Sequence, residues 1–144
     1  MTTMTAAQVR THTAGMEQAP EVPERPRPPR SYPAAYKLAS KISEAHTDNS
    51  MLQNDLAWQI ATDPKIKDRN LKLAETFANR ANEASGGKDA GILDTVARIR
   101  FMQGQKDEAI ALQEKAVGLA DGDRKAQLER TLDSYKRGEL TKDN

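Results

Sequence analysis

From Pro33 onward, apolar residues recur every three or four positions, and no segment shows the strict alternation of a strand. That spacing predicts an all-α chain of about six helices. Pro33 suits a first turn, and Tyr36, Leu38, Ala39, Ile42 and Ala45 form one apolar stripe ending near His46. Thr47 to Ser50 is turn chemistry, and Ser50 with Gln53 reads as a capping box opening a second helix through Leu52, Leu56, Ala57 and Ile60. Asp63-Pro64 stops it, because a residue before proline is driven away from α geometry. The third helix is expected from Asp68 to Ser85 through Leu71, Ala74, Phe77, Ala78 and Ala81, closed by Gly86-Gly87. A fourth takes Asp89 as N-cap and carries Ile92, Leu93, Val96, Ala97, Ile99 and Phe101 to a turn at Gly104. The fifth carries Ala109, Ile110, Leu112, Ala116, Val117 and Leu119 and ends at Gly122. The sixth, from Asp123 to Arg137, carries Leu128, Leu132 and Tyr135 and stops at Gly138.

The helices repeat. Ala74 and Ala81 on the third answer to Ala109 and Ala116 on the fifth, 35 positions further on. Small residues at such places let antiparallel helices approach closely, and a period of this length marks stacked helix hairpins. The stretch Ala90 to Ala120 resembles a tetratricopeptide (TPR) repeat. Leu93, Val96, Ala97, Gly104, Ala109 and Ala116 stand where that pattern places large, large, small, turn, small and small residues. There are departures: Arg100, with Phe101 beside it, takes the place of a usual tyrosine, Gln113 that of an aromatic, and Asp121 that of a common proline. The hairpin from Leu52 to Ala84 fits less closely, with a longer turn from Thr62 to Lys67. Sixteen positions separate Ala81 from Ala97, and sixteen beyond Ala116 is Leu132, so the sixth helix reads as the first helix of an incomplete unit. Tyr135 then takes the place that Arg100 lost. The helix at Ala35, Leu38 and Ile42 reads as a lone second helix of a preceding unit. The resemblance implies a right-handed antiparallel helix-hairpin array over residues 32–138.

A narrower likeness runs from Asn54 to Pro64 and again from Gly91 to Thr95. It is similar to the TPR-like region found C-terminal to thioredoxin-like (redoxin) domains in some bacterial envelope proteins. That likeness implies an interaction arm without the redox chemistry, since the chain has no cysteine.

Ahead of the helices, Pro20, Pro23, Pro26, Pro28, Pro29 and Pro33 crowd a stretch of alternating charge with Glu21, Glu24, Arg25, Arg27 and Arg30. Proline excludes helix there, and few apolar groups offset the entropy of ordering. Residues 1–31 are therefore expected to be a disordered Pro-rich arm of polyproline II character, a spacer rather than an SH3-type ligand. Residues 139–144 are expected to be a disordered tail.

Composition narrows the function classes. With 22 basic and 21 acidic residues, a net charge of +1 and no basic block, nucleic acid is disfavoured as the main partner. Only 4% of residues are aromatic and 30% are charged, which suits thin helical layers better than a thick core. No apolar run is long enough to span a membrane, and the N-terminus carries no secretory h-region. A cytoplasmic location is the default expectation, or periplasmic for a piece of an envelope protein. His12 and His46 are the only histidines. Without a cysteine cluster, an HExxH motif, a phosphate loop or a nucleophile elbow, no catalytic residue, metal or cofactor is assigned.

The resemblance implies that the first helix of each unit lines a concave face. Residues i and i+4 share a side of a helix. Asn54 with Trp58, Asp94 with Arg98 and Phe101, and Glu129 with Asp133 are thus expected to project into one groove. Each also has a purely structural explanation: Trp58 as a half-covered packing residue, Asp94–Arg98 as a surface pair, Phe101 as core. The lysine and asparagine set by which some members of the family clamp a C-terminal carboxylate is missing. The expected function is a non-enzymatic protein–protein interaction module, an adaptor or scaffold, binding a peptide with apolar and basic groups. One alternative is a structural homo-oligomer joined through the first helix, which lacks an antiparallel mate; another is the interaction arm of an envelope redox system.

Overall fold

A computed structural model describes residues 32–140, and every regular element among them is a helix. In chain order these are α1 (Tyr32–Ala45), α2 (Ser50–Thr62), α3 (Leu71–Ala84), α4 (Ala90–Met102), α5 (Lys106–Leu119) and α6 (Gly122–Lys136). The Pro-rich arm at residues 1–31, with its SH3-like run and His12, lies outside the described residues, as does the end of the 139–144 tail.

Local chemistry sets the helix ends. Asp89 caps α4 by accepting the Ile92 N–H at 3.1 Å, and Asp107 and Glu108 occupy the first turn of α5, where carboxylates complement the helix dipole. Gly104 and Gly138, at φ +85° and +77°, take the left-handed conformation that closes a helix. Each lets the next residue reach back five positions, Gln105 N–H to the Arg100 carbonyl and Glu139 N–H to the Ser134 carbonyl, both at 2.9 Å.

The packing fits a stack of hairpins. α2 with α3 and α4 with α5 make the most extensive contacts, followed by α5 with α6 and α3 with α4. Alternate helices also meet. Trp58 lies against Arg98, and Phe101 stacks on Tyr135, so α2, α4 and α6 run in the same sense. Tyr36 bonds at the head of α3 and Ser43 meets Arg80 near its end, so α1 and α3 also run alike. The alanines that carry the 35-residue period, Ala74, Ala81, Ala109 and Ala116, are all 0% exposed, as are Ala57 and Ala97. The largest apolar cluster joins Ile60, Phe77, Ile92, Val96 and Ile99 around Ala57, Ala74 and Ala81. Two smaller clusters, Leu93–Ala116–Leu128 and Ala97–Ala109–Tyr135, fix α6 to α4 and α5.

Several sequence expectations need correction. The stripe on α1 is split: Tyr36 and Ala39 pack inward, whereas Leu38 is 60% and Ile42 37% exposed, and Ala45 is exposed too. Ser43 takes the inward place instead. It is buried because its hydroxyl donates to Gln53 Oε1 and accepts from Arg80 Nη1 at 2.7 Å. Gln53 is accordingly no capping residue. Its Nε2 donates to the carbonyls of Ser43 (2.9 Å) and His46 (2.8 Å), and the cap of α2 is Asn49, whose Oδ1 accepts from Leu52 N–H at 3.0 Å. α3 starts at Leu71 rather than Asp68, capped by Asn70. The Tyr36 hydroxyl holds the preceding link out of the helix, donating to the Asp68 carbonyl at 3.1 Å and accepting from Asn70 N–H at 3.3 Å. Gly122 opens α6 instead of ending α5, which stops at Leu119.

Candidate functional site

Because α2, α4 and α6 lie side by side, their outward residues define one face. A cleft of about 230 Å³ opens there, lined by Asn54, Asp55 and Trp58 from α2, Gly91, Asp94 and Thr95 from α4, and Arg124 from α6. Asn54 and Trp58 share a side of α2 one turn apart, and both are half-buried. The Asn54 Oδ1 is buried with no hydrogen-bond partner among the described residues.

Arg98 behaves differently from an exposed partner of Asp94. It is only 7% exposed, with its guanidinium 5.3 Å from the centre of the Trp58 ring. A cation over an indole face is favourable, more so when partly desolvated. Arg98 therefore backs Trp58 and fixes the ring at the cleft wall. Asp94 accepts from Gln113 Nε2 at 2.9 Å, a contact made from α5 behind the face.

Of the residues expected to share one groove, Asn54, Trp58 and Asp94 line the cleft and Arg98 supports it. Phe101 does not take part. It is half-buried, with its ring stacked on fully buried Tyr135 at 4.6 Å and 17°, which makes it a packing residue between α4 and α6. Glu129 and Asp133 are exposed on α6 but stand away from the cleft lining.

Sequence reasoning missed Asp55, Gly91, Thr95 and Arg124. Arg124 was hidden because its long side chain crosses α4 where Gly91 has none: a Cβ on Gly91 would stand 2.8 Å from Arg124 Nη2. A glycine inside a helix costs stability relative to alanine, and that was the available signal. Thr95 is spent on its own helix, donating to the Gly91 carbonyl at 3.1 Å. A shallower hollow beside the cleft, lined by Lys88, Asp89, Leu119 and Asp121, shares Gly91 and Arg124 with it.

The cleft offers an aromatic edge, two carboxylates, an amide and a mobile-length guanidinium, a set suited to polar and ionic contacts along a chain. Among the described residues, no group of three or more His, Cys, Asp or Glu is placed to hold a metal ion. None of the described helices is long and apolar enough to cross a membrane. No family model matches the sequence, and no curated protein or solved structure matches it.

Proposed function

We propose that the protein is a non-enzymatic, TPR-like interaction module that binds a peptide segment of a protein partner along the face of α2, α4 and α6. The observation that carries this reading is the convergence of Asn54, Trp58 and Asp94 from alternate helices into one cleft, with Arg98 bracing the tryptophan. A tryptophan held by a buried arginine is a stiff aromatic anchor, and such residues dominate binding energetics. A peptide-display selection against the full chain tests the proposal. Enriched peptides are expected to lose binding to a Trp58→Ala/Asp94→Lys variant whose thermal melt shows it folded. Equal recovery of the same peptides by both proteins overturns the assignment of this face.

A second reading, a homo-oligomer joined through α1, is favoured by one observation. Leu38 and Ile42 stand one turn apart on α1 with substantial exposure, a side of the helix that nothing among the described residues covers. Multi-angle light scattering decides it: a dimer converted to monomer by Leu38→Lys supports it, and a monomer at high concentration ends it.

A further inference from the structure

Gly91 and Arg124 each go against a local preference, and they do so at the same spot. Gly91 is the second residue of α4, and glycine in a helix is less favourable than alanine. Arg124 stands in the first turn of α6, where the helix dipole disfavours a cation. Its side chain is exposed and has no hydrogen bond or ion pair among the described residues, so no partner offsets that placement. Neither residue belongs to an apolar cluster. Yet Arg124 Nη2 lies 2.8 Å from where a Cβ on Gly91 would stand. Residues that break local rules with no compensating contact are expected at functional sites. What this pair does is join two hollows. The cleft beside Trp58 and the larger hollow, of about 420 Å³, between the head of α4 and the end of α5 share Gly91 and Arg124 and no other lining residue. A side chain at position 91 would raise a ridge between them. Beyond that crossing Leu119 is 45% exposed beside half-buried Ala90 and Ala120, an apolar surface that the described residues leave uncovered.

We propose that the two hollows are one groove, in which an extended peptide runs from Trp58 over Gly91 and seats an apolar side chain on Leu119. The Arg124 guanidinium lifts off Gly91 and closes over the peptide main chain. The proposal rests on the peptide-binding reading above and adds to it a second anchor and the crossing between the two. A glycine lets a ligand backbone approach closely. A guanidinium carries a planar fork of donors and no acceptor, which suits peptide carbonyls, and at Arg124 no described residue competes for those donors. Selection at the crossing is therefore by main-chain bonding and shape, and at Leu119 by an apolar side chain.

The test is a titration of the full chain with the tightest peptide from the display selection, followed by fluorescence anisotropy and by NMR of the ¹⁵N-labelled protein. Gly91→Ala, Arg124→Gln and Leu119→Ser are expected to melt close to wild type, since each alters only an exposed side chain or displaces the free end of one. Each is expected to bind the peptide about tenfold more weakly. The Gly91→Ala/Arg124→Gln double variant should lose no more than either single one, because both act at one crossing. Arg124→Lys keeps the charge without the fork and is expected to bind as weakly as Arg124→Gln. The peptide should also move the Gly91 amide and the Arg124 Nε–H signals along with the Trp58 indole, which a merely structural role would not do. Wild-type affinity in Gly91→Ala or in Arg124→Lys overturns the crossing, and wild-type affinity in Leu119→Ser overturns the second anchor. If the peptide moves Trp58 but leaves Gly91, Leu119 and Arg124 unmoved, this inference falls alone; if no peptide binds the cleft, both fall.

Discussion

Gln53 and Gln113 are both fully buried, and each ties a helix at one end of the stack to its neighbours, yet their hydrogen bonding differs. At the α1–α2 junction Gln53 uses both ends of its amide. Nε2 serves the carbonyls of Ser43 and His46, which are C-terminal carbonyls of α1 and its turn, and Oε1 accepts from the Ser43 hydroxyl. At the α4–α5–α6 junction Gln113 uses only its Nε2, one bond of which goes to the side chain of Asp94. A satisfied buried amide is a structural device that fixes how two helices meet. A half-satisfied one leaves stability unclaimed, and what it holds in place here opens onto the cleft. Between these junctions α2, α3 and α4 meet through alanine contacts around Phe77, Ile92 and Ile99.

The contrast is sharpest for Gln53→Leu, which removes three hydrogen bonds at once, two to the Ser43 and His46 carbonyls and one from the Ser43 hydroxyl. A loss of about 3 kcal/mol is expected in urea denaturation, with amide exchange rising first along α1. A cost near zero would break the comparison, because the two glutamines would then be equivalent. Next comes the apolar middle. Ala74→Leu, at a site with no exposure, is expected to cost about 2 kcal/mol by overpacking.

Smaller again is the polar cluster at the opposite edge. Arg100 pairs with Glu75 at 2.9 Å, and Gln103 Nε2 donates to the same carboxylate at 2.8 Å. The Gln103 hydrogen bond, then that of Arg100, holds the Glu75 carboxyl below its ordinary range, against a partial opposing effect of burial. A depressed carboxylate stabilises the fold in full above its unfolded value and ceases to do so as pH falls through the lowered folded value. Glu75→Gln is therefore expected to cost about 1 kcal/mol at neutral pH and to flatten the acid limb of stability against pH. The smallest effect is expected for Gln113→Leu, within about 0.5 kcal/mol of wild type or more stable. A loss as large as that of Gln53→Leu would erase the distinction drawn here.

Much of the fold was legible in the sequence. Helical periodicity, the Asp63-Pro64 stop, the Asp89 cap and the turn at Gly104 are local signals, and local geometry decided them. The repeated alanines were legible because close helix contact admits only small side chains, and each is indeed buried. What was hidden depends on partners far apart in the chain. The burial of Ser43 depends on Gln53 and Arg80, which bond its hydroxyl, and Gln53 looked like a cap residue until it met α1. The 35-residue offset could not tell that Arg124 would reach the cleft while Glu129 and Asp133 remain outside its lining. Side-chain length and the absence of a Cβ at Gly91 decided that, not register.

The central claim is that the face of α2, α4 and α6 receives the partner. Chemical-shift mapping of the full chain with a display-selected peptide tests it most directly. The account predicts that the largest perturbations fall on Asn54, Trp58, Asp94 and Thr95. Perturbations concentrated instead on the exposed residues of α3 and α5, with those four unmoved, would contradict it.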